Sequence, residues 1–230
     1  MAAASPPLPQ QLALDLPAGT SSSLDNFVPG RNAEALATLR DWAAGHRARR
    51  AVYLWGLPGS GKTHLAQAAA AALGPAARLL GPAAPLAHFA PEAAPLIVVD
   101  DVDRLDAARQ QALFSLINRQ RADPTALMLT TGSAAPLALT MRDDLRSRLG
   151  WGLVYELTAL DDADKALALQ TLAGERGVMM SAEVVPYLLT HTSRDMRELI
   201  GLFEALDRLA LQRQRAITLP LLRDLLQTSL

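Results

Sequence analysis

Eight consecutive residues limit the fold of this chain more than any other feature: Gly56-Leu57-Pro58-Gly59-Ser60-Gly61-Lys62-Thr63. They match the pattern G-x-x-x-x-G-K-[ST]. A short apolar run, Ala51–Trp55, precedes them, and an alanine-rich helical pattern over 62–73 follows. In a strand–turn–helix of this kind the glycines let backbone N–H groups turn inward around phosphate oxygens. The helix N-terminus adds the positive end of its dipole. Lys62 is then placed to reach the β- and γ-phosphates of a nucleotide, and the Thr63 hydroxyl to ligate Mg²⁺. Among the 22 basic residues only Lys62 and Lys165 are lysines, so Lys62 stands out against a background of arginine.

The remaining elements fit the sheet that such a loop requires. Leu36, Leu39 and Trp42 form a helical stripe behind Asn32, which is placed to cap it. Short runs at Ala51–Trp55, Arg78–Leu80, Leu96–Val99, 126–129 and 153–155 are apolar throughout, and helical patterns over 62–73 and 105–121 alternate with them. Strands without a polar face belong to a parallel sheet covered on both sides. The alanine- and proline-rich stretch 74–95 shows no clear period. After Leu160 the pattern becomes helical. Asp161 or Asp162 can cap a helix to Arg176, and Ser181 one to His191. Thr192 and Asp195 are spaced as a capping box for a helix over 194–214, and Pro220 sits in the first turn of a last helix over 218–228. The predicted fold class is α/β, a P-loop parallel sheet with flanking helices followed by a small all-α domain. The expected divisions are a flexible tail 1–23, a nucleotide-binding domain 24–158 and a helical domain 159–230.

Leu96-Ile97-Val98-Val99-Asp100-Asp101 has the form of a Walker B strand. Asp100 at its end suits a water-mediated Mg²⁺ contact, and Asp101 suits orienting or deprotonating an attacking water. The side chain of Asp101 is one methylene shorter than glutamate, which favours weak hydrolysis. Several classes are excluded by composition. A net charge of −1 gives no general attraction to nucleic acid. The absence of cysteine excludes disulfides and thiolate metal sites and suits the cytoplasm. No stretch approaches the roughly 18 apolar residues of a membrane span. His46, His64, His88 and His191 lack metal-ligand spacing, and Trp42, Trp55 and Trp151 are expected in the core.

Phe27-Val28, Tyr53-Leu54-Trp55-Gly56, Gly61-Lys62-Thr63-His64-Leu65, Asp100-Asp101, Ser147-Arg148-Leu149-Gly150-Trp151-Gly152 and Met196-Arg197-Glu198-Leu199 occur in this order. Together they resemble the AAA+ ATPase domain of the bacterial replication initiator DnaA, over about residues 24–230. The resemblance implies ADP or ATP with Mg²⁺ as ligand and a sensor-2 lid as the helical domain. Phe27, Val28 and His64 would lie beside the nucleotide. Gly56, Pro58, Gly59, Ser60, Gly61, Lys62, Thr63 and Asp100 would handle phosphates and metal. Arg148 matches the arginine finger, and Arg197 matches the sensor-2 arginine. The sensor-1 position near Thr130-Thr131-Gly132-Ser133 stays open.

The tail carries Gln11-Leu12-Ala13-Leu14-Asp15-Leu16 in a stretch otherwise built of Ala, Pro, Ser and Gln. In an extended segment Leu12, Leu14 and Leu16 share one side, and Gln11 can fix register. The segment is similar to peptides that dock on the replicative sliding clamp. A DnaA-like module with such a tail resembles the Hda family, regulatory inactivators of DnaA. That resemblance implies DnaA and the clamp as partners, DNA contact only through the clamp, and stimulated hydrolysis of DnaA-bound ATP that prevents re-initiation. Self-association into a homo-oligomer stays open. The rival readings are a stand-alone ATPase, such as a helicase loader, and a DnaA-like initiator fragment.

Overall fold

The computed structural model describes residues 22–90, 94–192 and 195–228. They form two compact units that divide between Asp161 and Asp162.

The first unit is built on one parallel sheet. Strands β1 (Ala51–Trp55), β2 (Arg78–Leu80), β3 (Leu96–Val99), β4 (Leu127–Gly132) and β5 (Leu153–Glu156) lie in the order β2-β3-β4-β1-β5. Alternation along each strand sends side chains to both faces. Val52, Leu54, Val98, Leu127 and Leu129 pack under helices α1 (Ala33–Ala43) and α2 (Lys62–Ala72). Tyr53, Ile97, Val99 and Met128 pack under α3 (Ala107–Ala122) and α4 (Asp143–Leu149). Both faces are therefore apolar, as the uninterrupted strand runs require. Ala66, Ala68 and Ala69 are buried on α2, so that helix lies close on the sheet, and Leu65 fills the space beside them. Trp42 is 1% exposed, and its indole N–H donates to Arg49 O at 2.7 Å, which ties α1 to the chain entering β1.

The structure departs from the sequence expectations at several points. Asn32 precedes α1 but makes no side-chain cap. Its buried amide instead bonds Thr158 in both directions at 2.8 Å, clipping the start of α1 to the strand exit after β5. β4 continues through Thr130 and Thr131 to Gly132, because both threonine hydroxyls find partners inside the protein. α3 begins at Ala107, capped by Asp106, whose Oδ1 accepts from Arg109 N at 2.8 Å. α4 was not expected, since its seven residues are too few to show a period.

The second unit consists of α5 (Asp162–Glu175), α6 (Val184–His191), α7 (Met196–Arg213) and α8 (Leu219–Thr228). Leu169, Leu188, Leu199, Phe203, Leu206 and Leu222 form its core. Ser181 does not cap α6, which starts at Val184. Its N–H donates to Ile217 O at 2.9 Å, beside a bridge between Met180 and Ile217.

Candidate functional site

At the C-terminal end of β1 the chain turns through the glycine loop. Gly59 and Gly61 have φ of +79° and +93°, a region where side chains are strained. Space forbids substitution as well. A Cβ on Gly56 would lie 2.3 Å from Leu157 O, and one on Gly61 would lie 2.7 Å from the Phe27 ring. Phe27 is buried against the loop, with its ring centroid 5.5 Å from that of His64. A His64 ring nitrogen lies 3.1 Å from Ser23 O, and half-buried Val28 follows Phe27 in sequence. Leu57, Pro58 and Gly59 form the exposed tip.

This loop fits a phosphate ligand. Lys62 Nζ donates to Gly56 O at 2.7 Å and Leu57 O at 3.0 Å, so the ammonium lies folded over the loop. The Ser60 hydroxyl is buried and has no partner among the described residues, an orphaned polar group inside the cradle. The first N–H groups of α2, from Lys62 and Thr63 onward, have no intrahelical acceptors. Burial holds the Lys62 pKa below the usual lysine value, opposed by the nearby carboxylates of Asp101, Asp100 and Asp103. Among the described residues no cluster of three His, Cys, Asp or Glu can hold a metal by itself. A divalent ion here would depend on Thr63, Asp100 and the ligand's own oxygens.

The carboxylates are fixed from β4. The Thr131 hydroxyl donates to Asp100 Oδ1 at 2.5 Å and accepts from the Asp101 N–H at 2.9 Å. Asp101 sits at φ +52°, an uncommon conformation for a non-glycine residue, and its carboxylate pairs with Arg104 at 3.3 Å. Asp103 accepts from Ser133 N at 3.0 Å and Ser133 Oγ at 2.8 Å. Buried Tyr53 donates to Ala134 O at 2.8 Å, and burial, followed by the charge of Asp103, pushes its pKa upward. A Cβ on Gly132 would meet the Tyr53 hydroxyl at 2.1 Å, which explains the glycine. Asp103 escaped sequence reading, Tyr53 entered only as part of the DnaA-like strand-turn, and Thr131 and Ser133 only as part of the stretch where the sensor-1 position stayed open. The only signal was the polar cluster 130–133 at a strand end.

Arg148 lies elsewhere. It borders a groove of about 270 Å³ shared with Arg49, Arg50, Ala51, Arg121, Trp151 and Gly152. These residues mark the N-terminal ends of β1 and β5, whereas the glycine loop leaves the C-terminal end of β1. A five-residue strand separates the two by about 16 Å. The Arg148 guanidinium bonds Asn118 Oδ1 and stacks 4.1 Å from the Phe114 ring centroid and 4.8 Å from that of Trp151. Trp151 is 50% exposed rather than a core residue, because its ring serves Arg148 and Arg121 instead of the sheet. Phe114, Asn118 and Arg121 also went unnoticed in the sequence. Arg197 falls in the first turn of α7, in the helical unit, and its side chain lies outside the described residues. Gln11, Leu12, Leu14 and Leu16 also lie outside them.

Residues 162–226 match the family model described as the lid domain of Hda. Solved structures share the fold. Domain III of the Thermotoga maritima replication initiation protein DnaA superposes with a TM-score of 0.70 at 19% identity, covering 90% of this chain and 96% of that one. AMPPCP-bound DnaA from Aquifex aeolicus gives 0.64 at 23%, covering 84% and 69%. The Thermotoga maritima RuvB Holliday junction branch migration motor gives 0.64 at 20%, covering 90% and 72%. The chain thus has a DnaA-like AAA+ fold with an Hda-type helical lid. Among the described residues no helix is long and apolar enough to cross a membrane.

Proposed function

We propose that this DnaA-like AAA+ protein with an Hda-type lid is a regulatory ATPase partner. It holds adenine nucleotide at its own glycine loop and lends Arg148 to ATP bound by DnaA. The observation that carries this reading is the position of Arg148. The side chain stands at the end of the sheet opposite its own phosphate loop, half-exposed and braced by Phe114, Asn118 and Trp151. A guanidinium held there serves a nucleotide on another subunit better than its own. A cation presented in this way neutralises charge that develops on a transferring phosphoryl group.

In its own site, the loop N–H groups, Lys62 and the Ser60 hydroxyl hold phosphate oxygens. Phe27, Val28 and His64 border the adenine side, and Arg197 is assigned the sensor-2 role that the resemblance implies. Mg²⁺, when bound with the nucleotide, supplies charge neutralisation between the phosphates, with Thr63 and Asp100 as its protein contacts. The Asp100–Thr131–Asp101 arrangement also supports a second reading, intrinsic ATP hydrolysis with Asp101 orienting water. Its short reach and its pairing with Arg104 favour slow turnover.

Sliding-clamp docking through Gln11, Leu12, Leu14 and Leu16 is the remaining part of the proposal. It would bring the chain to DNA indirectly and keep it in the cytoplasm near the nucleoid. Stimulated hydrolysis of DnaA-bound ATP would then prevent re-initiation. The test is hydrolysis of DnaA-bound ATP in the presence of DNA-loaded clamp. Wild-type chain should accelerate it, and the double change Leu14→Ala and Leu16→Ala should abolish both clamp binding and acceleration while leaving ADP binding intact. Acceleration by the double variant at wild-type strength would remove the docking role and favour the stand-alone ATPase.

A further inference from the structure

Residues 22–28 have no regular secondary structure, yet they lie against the two helices that flank the glycine loop in sequence. From α2, the Gln67 side chain accepts from the Ser22 hydroxyl at 2.9 Å, and His64 Nε2 lies 3.1 Å from the Ser23 carbonyl. From α1, the Arg40 guanidinium donates to Leu24 O at 3.1 Å. The segment is also tied to itself. Asn26 Oδ1 accepts from the Ser23 N–H at 2.9 Å, and Ser23 Oγ accepts from the Asn26 N–H at 3.1 Å, a reciprocal pair that holds the bend between them. Leu24 and Phe27 are the side chains that it buries. Phe27 is the one that reaches the loop. Its ring fills the space that a Cβ on Gly61 would need, at the point where the loop passes into α2 with φ of +93°. The polar anchors, by contrast, lie near solvent: the Arg40 side chain is 51% exposed, and the Ser22–Gln67 bond is at the surface. A segment held by few buried side chains and by exposed polar bonds opens locally at far lower cost than global unfolding.

We infer that residues 22–28 are a strap over the phosphate loop, that its closure sets how long a nucleotide is retained, and that Arg40 and Gln67 are positioning residues that keep it closed. The inference rests on the reading of the glycine loop as a nucleotide site and adds a means of controlling release. Opening the strap withdraws Phe27 from Gly61 and leaves the entry to α2 without its cover. A ligand that binds the covered loop therefore binds the closed strap in preference to the open one, and by linkage it holds the strap shut. The strap is better suited to this control than the loop itself. The loop's shape is imposed by its backbone, through the positive φ of Gly59 and Gly61 and the close approach of Gly56 to Leu157 O. The strap depends on side chains that can let go. Arg40 and Gln67 act from its outer end, through Leu24 and Ser22, and neither belongs to the loop.

The experiment follows release of a fluorescent ADP analogue from the full chain during a chase with unlabelled ADP. The double change Arg40→Ala and Gln67→Ala removes one anchor from each helix and leaves every loop residue in place. It should speed release by about tenfold, the effect of losing two hydrogen bonds from the closed state, with association no slower than in wild type. Arg40→Lys with Gln67→Glu keeps a donor for Leu24 O and an acceptor for the Ser22 hydroxyl, so slow release should return. Hydrogen exchange supplies a second readout. ADP should slow exchange of the Ser23 and Asn26 amides in wild type, and much less so in the double alanine variant. Release at the wild-type rate from that variant, or exchange in residues 22–28 that ADP leaves unchanged, overturns the strap. Fast release from both double variants, together with equal losses of stability in chemical denaturation, makes the anchors structural only and also overturns it. A wild-type chain that binds no ADP brings down the nucleotide reading and the strap with it, whereas binding with release indifferent to the anchors brings down the strap alone.

Discussion

The two ends of the sheet treat charge in opposite ways. At the C-terminal end, Lys62 faces three carboxylates, and each acid has an internal partner: Thr131 for Asp100, Arg104 for Asp101 and Ser133 for Asp103. At the N-terminal end, four arginines share a groove in which carbonyls, an amide oxygen and aromatic rings are the partners. Such groups orient a guanidinium but do not neutralise it. The C-terminal end is closed by the glycine loop that Lys62 folds over, and the N-terminal end is an open groove of guanidiniums with the Asp123 carboxylate near Arg50. On the proposed function one end holds a nucleotide and the other acts on a partner's, and the length of β1 separates them.

The largest effect should come from removing the charge at the open end. Arg148→Ala should lower stimulated hydrolysis of DnaA-bound ATP by about 10³-fold or more. Arg148→Lys should recover little of it, since an ammonium lacks the planar fork that Phe114 and Trp151 hold in place. ADP-induced thermal stabilisation of the variant should equal that of wild type. A variant that lost both activities together would break the separation of the two ends.

A reciprocal result is expected at the closed end. Lys62→Ala should abolish the thermal shift with ADP or ATP plus Mg²⁺, a stabilisation of about 3 kcal/mol when ligand is in hundredfold excess over its dissociation constant. The depressed Lys62 pKa adds a pH signature. The unfolded chain holds this proton more tightly than the folded one, so the group's contribution to stability rises with pH between its lowered folded value and the ordinary lysine value. Nucleotide affinity should move the other way over that window, falling as the ammonium loses its proton, and Lys62→Arg should shift the fall to higher pH. Calorimetric titrations across alkaline pH check both signs.

The contrast also shows what a linear sequence can reveal. The closed end was legible because its backbone geometry demands particular residues. Gly59 and Gly61 occupy positive φ, and Gly61 has no room for a side chain beneath Phe27. The parallel sheet was legible because strands buried on both faces carry no polar alternation, and the lid because its four helices have apolar stripes long enough to show a period. The open end was not. Arg49, Arg121 and Arg148 are far apart in the chain and look like any of its other arginines until β1, α3 and α4 bring them together. Trp151 read as core because large aromatics usually are, and only the tertiary structure shows its ring occupied by two guanidiniums. The role of Thr131 stayed hidden for a related reason. A hydroxyl in an apolar strand reads as the strand's end until its partner, Asp100 on the neighbouring strand, is known.

Thr131 supplies an intermediate test. It is fully buried and satisfies both Asp100 and the Asp101 N–H. Thr131→Val keeps the volume but leaves that N–H without its acceptor, which should cost about 1–3 kcal/mol of stability. Chemical denaturation would measure it. If the hydroxyl also fixes the carboxylates for the nucleotide, intrinsic turnover should fall while stimulation of DnaA-bound ATP hydrolysis through Arg148 stays as in wild type.

The smallest effect is expected at Trp151, and it discriminates between charge and orientation at the open end. The indole contributes no charge, so any loss on Trp151→Ala must act through the guanidiniums stacked on it. Each cation–π contact at an exposed site contributes about 0.5–1 kcal/mol. Freeing Arg121 and Arg148 together should therefore lower stimulation of DnaA-bound ATP hydrolysis by roughly fivefold to thirtyfold. Trp151→Phe keeps a ring face and should recover most of that loss, whereas a residue acting only by filling space would be rescued equally well by Trp151→Leu. Stability should change little in all three variants, because half of the indole is already in solvent. A drop in stability matching the drop in stimulation would mean that Trp151 supports the sheet and not the arginines, and its role in orienting Arg121 and Arg148 would have to be given up.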